Sequence, residues 1–422
     1  MIVLSNLEAL GAALWSFPLP LLLCATHLFL TVRLGFPQRK IGQGIRDSLR
    51  ADAVTGVHHS FQALAVQLAA TLGVGNIVGV ALAIIGGGAG AVLWCWLAGL
   101  LGIATTYAEA RMTLECRKEI RTGGPWDAMG RPLGVFYALV VAIGGLFLGS
   151  MIPANTVAFA MPVARPVTAI VLAVSTAFVV LGGAVWIQKA CEKLIPLTAA
   201  LYLFGCIAII IVCRDVFPAA LHAIFTEAFR FRAAVYGALG GTITAASSMR
   251  AVRYGVSRGL FSNEAGLGTA GIAAGALPDG TPARQAMVSA TATFWDTVVF
   301  CGVTGIAFVC AVLHAGISET DGAVFCIRVF SLIPAGQPIL RITIALLGYA
   351  CILGWCYIGS RAFTHALPGL PPKTYPILWT LAAGFGALFS ARAVWSVSDL
   401  LNAAAALPVV YIMWRYFGQN HT

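Results

Sequence analysis

The stretch AATLGVGNIVGVALAI, residues 69–84, is an apolar run that contains three residues able to weaken a membrane helix, Gly73, Gly75 and Asn76. Glycine costs about 1 kcal/mol relative to alanine inside a helix, and an amide at bilayer depth needs a hydrogen-bonding partner. Unwinding here frees backbone N–H groups, which suit a carboxylate, and backbone C=O groups, which suit a cation. These residue types therefore predict a binding site within the membrane.

A second interruption follows in GALGGTITAASS, residues 237–248, where Gly240, Gly241 and Thr242 lie together. Two broken helices at corresponding positions of two halves of a chain indicate the binding site of a secondary transporter. Close helix packing is the alternative explanation for these glycines. The amide of Asn76 favours the binding site, because a buried amide needs partners that packing does not supply.

Acidic residues add candidates for cation chemistry. Asp296 lies within the apolar segment TFWDTVVF. An acid at membrane depth suggests cation binding, proton coupling or gating, and the alternative is a structural partner for a nearby hydroxyl or arginine. Glu264, in FSNEAGLG, is predicted to lie on the cytoplasmic side as a gate contact or helix cap, and Glu109 is expected to pair with Arg111.

Composition predicts the elements that position these residues. Of 422 residues, 59% are hydrophobic and 10% are charged, whereas a soluble domain has about 25% charged residues, and the mean hydropathy is +0.88. The predicted fold is an all-α polytopic membrane protein with about eleven transmembrane helices. The predicted spans are 11–32, 61–85, 88–112, 133–160, 166–187, 193–213, 233–256, 286–314, 337–360, 374–391 and 394–417, and the 214–232 segment is an external loop or a short surface helix.

Loop charge predicts orientation. Alternate loops are basic and therefore face the cytoplasm, and Arg250, Arg253 and Arg258 are among the residues placed there, after the seventh span. The protein is then multi-pass in the cytoplasmic (inner) cell membrane, with its N-terminus outside and its C-terminus inside. The net charge of +10 reflects this topology, so the lipid bilayer is an expected partner and nucleic acid is not. The seven histidines form no cluster, and the eleven cysteines show no CxxC spacing, so we expect no cofactor and no metal beyond a coupled monovalent cation.

Without the first span, ten spans divide into five and five, and an odd number makes the halves cross the membrane in opposite senses. The predicted organisation is an additional N-terminal helix with a basic loop in residues 1–60, a first five-helix repeat in 61–213 and a second repeat in 214–422. Each repeat begins with one of the two glycine-interrupted helices described above.

The blocks GVGNIVGVALAI, GGGAGAVLWCWLAGLLGIATTYAEA, RGLFSNEAGLGTA, FWDTVVFCGVTG and ILGWCYIGSRA resemble those of the alanine or glycine:cation symporter family, over nearly the whole chain. The resemblance implies the leucine-transporter fold, an inverted five-plus-five repeat that the additional leading span also fits. It implies substrate contacts in the two breaks and at one tryptophan, and cation contacts near the first break and in two later spans. The implied substrate residues are Val74, Gly75, Asn76, Gly240, Gly241, Thr242 and Trp355. The candidate cation residues are Ala69, Leu72, Asn76, Asp296 and Cys351.

The chain departs from the family pattern around this site. Val74 replaces the usual threonine, Ala350 and Cys351 replace two hydroxyl residues, and Pro153 replaces a glutamine. Sodium prefers oxygen ligands, so these changes affect the expected ion and substrate and leave the architecture intact.

Residue patterns favour a transporter over the other classes. An enzyme would need a nucleophile–base pair or a motif such as HExxH at bilayer depth, and a channel filter needs symmetric repetition of one loop. The predicted function is symport of alanine, glycine or a similarly small amino acid, driven by a cation, with sodium expected and protons the alternative. An uncoupled carrier and a non-transporting amino-acid sensor with degenerate ion sites stay open.

Overall fold

The computed structural model describes residues 9–419, apart from 12, 16, 51–58, 119–122, 230–244, 276, 278–280 and 390. These residues form helices joined by turns, and no strand occurs among them. Helices satisfy all backbone hydrogen bonds within one segment, as a bilayer requires. The first half contains α1 (Ala9–Arg33), α2 (Ile41–Ser48), α3 (His59–Thr71), α4 (Val78–Gly87), α5 (Gly90–Cys116), α6 (Arg131–Ala160), α7 (Arg165–Val180) and α8 (Ala184–Val212).

The second half contains α9 (Phe217–Ala228), α10 (Ala245–Asn263), α11 (Thr269–Ala274), α12 (Pro282–Ala315), α13 (Gly322–Phe330), α14 (Gly336–Ala366), α15 (Thr374–Gly386) and α16 (Ala391–Gln419). Two long helices, α6 and α12, each contain a π-helical segment, Gly145–Met151 and Phe294–Cys301. Such segments are rare, and those that occur are frequently at functional sites.

Within the described residues, seven helices are long and apolar enough to cross a membrane, and α3 with α4 forms an eighth, bent span. The all-helical membrane architecture is thus confirmed, whereas the count of eleven spans is not. Helix α9 occupies the 214–232 segment, which agrees with the predicted short helix. The division into repeats at 61–213 and 214–422 stays a prediction.

Helix α7 shows how the outer surface is built. Val167, Ile170, Val174 and Phe178 recur three or four residues apart and are each more than half exposed, up to 72% for Phe178. Residues at this spacing share one face of a helix. An apolar face of this kind suits contact with lipid tails.

Helix α5 lies in the interior, against α10. A Cβ added to Gly255 would come within 2.7 Å of the Trp94 side chain, and one added to Gly259 within 3.0 Å of that of Ala98. Glycines four residues apart allow two helix backbones to approach closely. Because Gly255 faces the start of α5 and Gly259 faces a later turn, the two helices run in the same direction.

This packing corrects the seventh predicted span, 233–256. The described helix continues to Asn263, and Arg250, Arg253 and Arg258 lie within it rather than in a cytoplasmic loop after it. Arg258 lines a cavity together with Trp15, near the beginning of α1. Charge counting misplaced Arg258 because arginine also occurs inside a span when it faces an internal cavity, whereas Arg250 and Arg253 are exposed.

Candidate functional site

The first break separates α3 from α4, whose axes differ by 65°. Gly73 is extended, and Val74–Asn76 forms a single 3-10 turn before α4 begins. The Oδ1 atom of Asn76 accepts a hydrogen bond of 2.9 Å from the Gly73 N–H. The first N–H groups of a helix have no acceptor within that helix, so those of Val74 and Gly75 are available to a ligand.

The amide of Asn76 joins this break to two other helices. Its Nδ2 atom donates to Asp296 Oδ1 at 2.7 Å and to Ser262 Oγ at 2.8 Å. Asn76 is fully buried, and each contact is within normal hydrogen-bonding distance. Asn76 therefore connects the first break to α10 and α12, in addition to any packing role.

Asp296 lies in the π-helical segment of α12 and is fully buried. Its Oδ2 atom accepts hydrogen bonds from Ser262 Oγ at 2.9 Å and Thr297 Oγ1 at 2.7 Å. Among the described residues, no basic nitrogen lies within 4.0 Å of this carboxylate. Burying a carboxylate without a counter-charge costs several kcal/mol, so a bound monovalent cation or a proton would stabilise this site.

A second break separates α10 from α11, and it falls in FSNEAGLG. Glu264, Gly266 and Gly268 all have positive φ, at 54°, 105° and 82°. Glycine adopts this region without a steric cost, whereas a glutamate there is uncommon. The interruption expected at Gly240, Gly241 and Thr242 lies outside the described residues, so the role of those three residues stays a prediction.

Side chains from α5 and α6 hold the second break in place. The carboxylate of Glu109 accepts a hydrogen bond from the Gly266 N–H, and Tyr137 Oη donates to the Leu267 carbonyl at 2.8 Å. Arg111 instead pairs with Glu115 at 2.8 Å. The predicted Glu109–Arg111 ion pair is therefore wrong, because Glu109 is fully buried and points into the break.

Glu264 does not lie on the cytoplasmic surface as predicted. It is 7% exposed and lines a cavity of about 50 Å³, which we call the central cavity. Its carboxylate accepts a hydrogen bond from Thr269 Oγ1 at 3.3 Å, and Trp355 lines the same cavity. The motif alone could not show that this segment is buried inside the protein. The central cavity is lined by Ala70, Thr71, Gly73, Val74, Gly75, Leu148, Ile152, Pro153, Phe261, Ser262, Glu264, Gly348, Cys351 and Trp355.

Trp355 and Pro153 both reach this cavity, from α14 and α6 respectively. A Cβ added to Gly149 would overlap the Trp355 side chain, so a glycine in the π-helical segment of α6 makes space for the indole. Trp355 is 3% exposed. It lines the central cavity, and its role as the wall of a substrate pocket stays a prediction.

The predicted second cation position lies at the end of α3. Cys351 Sγ is 3.5 Å from the Ala70 carbonyl oxygen, and Ala69 and Leu72 are buried beside it. The last carbonyls of a helix have no N–H partner within it. The structure therefore brings α14 against the carbonyl end of α3, with a thiol in contact with the Ala70 carbonyl where an oxygen ligand would be expected.

Four residues that contribute to this region were not predicted from the sequence. Ser262 and Thr297 contact Asp296, Phe261 lines the central cavity, and Glu109 supports the second break. Ser262 and Phe261 belong to FSNEAGLG. The sequence pointed to this motif but did not predict that it is buried. Thr297 follows Asp296 directly.

Comparison with known proteins agrees with this architecture. The chain is 37% identical over 428 residues to the sodium/alanine symporter AgcS of Methanococcus maripaludis, covering 96% of this chain and 92% of that protein. It is 29% identical to the probable sodium/glutamine symporter GlnT of Bacillus subtilis, over 92% of this chain and 83% of that one. The crystal structure of MhsT in complex with L-phenylalanine superimposes with a TM-score of 0.62 at 16% identity, covering 88% and 91% of the two chains.

That structural likeness confirms the predicted leucine-transporter fold. The named relatives are transporters rather than enzymes. The model of the sodium:alanine symporter family matches residues 2–416, nearly the whole chain. On this match, together with the broken helices and the buried polar site between them, the chain belongs to the sodium:alanine symporter family.

Proposed function

We propose that this protein is a symporter that moves a small amino acid, alanine or glycine, across the cytoplasmic membrane by alternating access, driven by sodium. The observation that carries the proposal is the Asn76 amide, which links the first break to the buried Asp296 beside the central cavity. The names of AgcS and GlnT, a sodium/alanine and a probable sodium/glutamine symporter, point to an amino-acid substrate and to sodium as the ion.

The central cavity suits an amino-acid zwitterion. The substrate carboxylate would accept hydrogen bonds from the N–H groups of Val74 and Gly75, and the ammonium would lie near the Glu264 carboxylate. A volume of about 50 Å³ is small, so amino acids with the smallest side chains would fit best. Trp355 closes the wall next to Glu264, so the side chain of the substrate has room for little more than a methyl group.

The coupled cation has a defined place in this proposal. Asp296 and Glu264 are both buried and interact electrostatically with each other. The ammonium of a zwitterion is balanced by its own carboxylate, so substrate alone adds no net positive charge to the site. A sodium ion at Asp296, with the Ser262 and Thr297 hydroxyls as further oxygen ligands, would compensate one carboxylate. Binding of substrate and cation would then favour each other.

A second sodium would lie at the free carbonyls of Ala69 and Leu72, next to Cys351. A thiol is a poor ligand for a hard cation, so we expect this position to bind sodium weakly.

The position of Glu264 also changes its proposed role, from a cytoplasmic gate to a substrate contact.

Proton coupling is the second candidate. It is favoured by Asp296, whose side-chain oxygens are met by the neutral donors Asn76, Ser262 and Thr297. A protonated Asp296 would need no metal ligand at all, which suits a chain with Val74 and Cys351 in place of hydroxyl residues. An uncoupled carrier and a sensor make no use of a charge at this position.

Uptake into proteoliposomes tests these alternatives. Labelled alanine and glycine are supplied while a sodium gradient and a proton gradient are imposed separately. We expect concentrative uptake with the sodium gradient alone. Concentrative uptake with the proton gradient alone would establish the second candidate, and equal, non-concentrative uptake without either gradient would establish an uncoupled carrier. Binding of alanine without any uptake would indicate a sensor.

A further inference from the structure

The turn from α1 into α2 carries an exposed basic surface. Arg39, Lys40 and Arg46 are all exposed, and among the described residues no acidic side chain lies within 4.0 Å of them. Two exposed apolar side chains flank them, Phe36 at 43% and Leu49 at 62% exposure. We call these five residues the α2 surface.

Helix α2 separates this surface from the interior of the protein. Gly44 and Asp47 are buried, whereas Arg46 and Leu49 are exposed, and residues three apart share one face of a helix. The Asp47 carboxylate forms an ion pair of 3.2 Å with Arg284, near the beginning of α12. The one acidic residue of α2 therefore points inwards, and the exposed face is basic and apolar. A short amphipathic helix of this kind is typical of a segment that lies on a membrane surface.

Phe36 connects the α2 surface to the outer face of α1. Leu21, Leu28 and Val32 are each more than half exposed, and their spacing of seven and four residues places them on one face of α1. Phe36 follows Val32 at the same spacing, and the Arg39 guanidinium carbon lies 4.9 Å from the centre of its ring. The apolar face of α1 thus ends at basic residues, as the acyl chains of a phospholipid end at its headgroup.

We propose that the α2 surface is a binding site for the headgroups of anionic phospholipids, such as phosphatidylglycerol, in the cytoplasmic leaflet. Arg39, Lys40 and Arg46 donate charge-assisted hydrogen bonds to the phosphates, while Phe36 and Leu49 lie against the adjoining part of the acyl chains. In the predicted orientation α1 ends on the cytoplasmic side, where anionic lipids attract basic segments. A soluble anion would make the polar contacts only and leave both apolar side chains in water.

The opposite face of α2 gives this site an effect on transport. A Cβ added to Gly44 would come within 2.6 Å of the Met287 carbonyl oxygen and 2.8 Å of Thr291 Cγ2, so α2 and α12 are in close contact. Thr291 precedes Asp296 in α12 by about one turn. Headgroups bound to α2 therefore stabilise the position of the helix that carries the candidate cation residue. Only this effect on uptake rests on the proposed function.

Native mass spectrometry of the purified full-length protein tests the site without measuring transport. The protein is titrated with phosphatidylglycerol or with phosphatidylcholine that has the same acyl chains. We expect the first phosphatidylglycerol to bind about tenfold more tightly than the first phosphatidylcholine. Arg39→Gln/Arg46→Gln should abolish this preference, whereas Arg39→Lys/Arg46→Lys should retain most of it because the charge is kept.

The matched control is Lys189→Gln/Lys193→Gln. These two lysines of α8 are exposed, and their replacement removes the same charge from another part of the chain, so we expect the wild-type preference. Inorganic phosphate should not displace the lipid, since it lacks the acyl chains that contact Phe36 and Leu49.

Equal affinity of the wild-type protein for the two lipids would overturn the proposal. An equal loss of preference in the arginine and lysine double variants would also overturn it, because general charge attraction would then explain the binding. Displacement of the lipid by inorganic phosphate would indicate a site for a soluble anion instead.

Uptake of labelled alanine into proteoliposomes with and without phosphatidylglycerol tests the effect on α12. We expect the wild-type rate to be several-fold lower without this lipid and the rate of Arg39→Gln/Arg46→Gln to be low in both. Preferential lipid binding with uptake that is independent of lipid would overturn the effect on α12 and leave the site standing. Absence of alanine uptake in every lipid would refute the proposed function, and the binding measurement would still decide the lipid site.

Discussion

The amide of Asn76 donates a hydrogen bond of 2.7 Å to the carboxylate of Asp296, although 220 residues separate the two in the chain. The same amide accepts a hydrogen bond from Gly73. The backbone that would bind substrate and the carboxylate that would bind the cation are therefore joined through one side chain. Binding of a cation at Asp296 would therefore influence the conformation of the first break.

Asn76→Leu should leave the protein folded and inserted while abolishing uptake. Leucine has the same branching and number of side-chain non-hydrogen atoms but makes none of the Asn76 hydrogen bonds, and loss of a bond to a charged group costs about 1.5–3 kcal/mol. Uptake is measured in proteoliposomes at equal protein content. Asn155→Leu is the matched control, because Asn155 donates to the Gly386 and Phe389 carbonyls instead and should affect thermal stability rather than sodium dependence. Uptake at the wild-type rate by Asn76→Leu would show that Asn76 serves only in packing.

Asp296→Asn should abolish concentrative uptake while retaining some substrate binding. The substitution removes the buried negative charge that a cation would neutralise and keeps the size of the side chain. Uptake is measured against sodium concentration, with Asp215→Asn as an exposed control. If the sodium dependence of Asp296→Asn equals that of the wild type, this carboxylate has a structural role only.

Glu264→Gln should raise the KM for alanine by about tenfold or more, because the amide cannot balance the substrate ammonium. The hydrogen bond from Thr269 can still form with the amide oxygen, so the fold of the break is preserved. A gate residue would instead alter the maximal rate at unchanged KM. Initial rates over a range of alanine concentrations separate the two outcomes.

Trp355→Ala should relax selectivity towards larger side chains such as that of leucine and weaken alanine binding. Each methylene in an apolar pocket contributes roughly 1–3 kcal/mol to discrimination, so competition by leucine against labelled alanine should increase measurably. Trp186→Ala is a suitable control, because Trp186 is half exposed and packs against Phe178 on the outer surface. An unchanged substrate profile would remove Trp355 from the site.

Cys351→Thr should increase the apparent affinity for sodium. A hydroxyl oxygen next to the Ala70 carbonyl replaces a thiol that binds a hard cation poorly, and threonine is close to cysteine in size. The control is Cys310→Thr, at another buried cysteine, in α12 and outside the lining of the central cavity. Equal sodium affinity in Cys351→Thr and the wild type would argue against a second cation position there.

Local residue types were sufficient to predict the first break and to single out Asp296 as an acid within a membrane span. Gly73, Gly75 and Asn76 destabilise a helix regardless of how the rest of the chain folds. An acid in an apolar segment needs a partner in any membrane fold. The family resemblance added Trp355, which belongs to a long and specific block of residues. All of these conclusions depend on interactions within a few residues of one another.

Other features depended on contacts between distant segments. Glu264 and Arg258 lie in a stretch with enough charge to predict a cytoplasmic loop, and Glu109 lies two residues from an arginine. Each is instead buried or lines a cavity, because Gly255 and Gly259 let α10 pack closely against α5. Sequence alone determined that this chain forms membrane-spanning helices and breaks one of them at Gly73; tertiary packing decided which carboxylates face the cavity, since only the assembled helices exclude water from them.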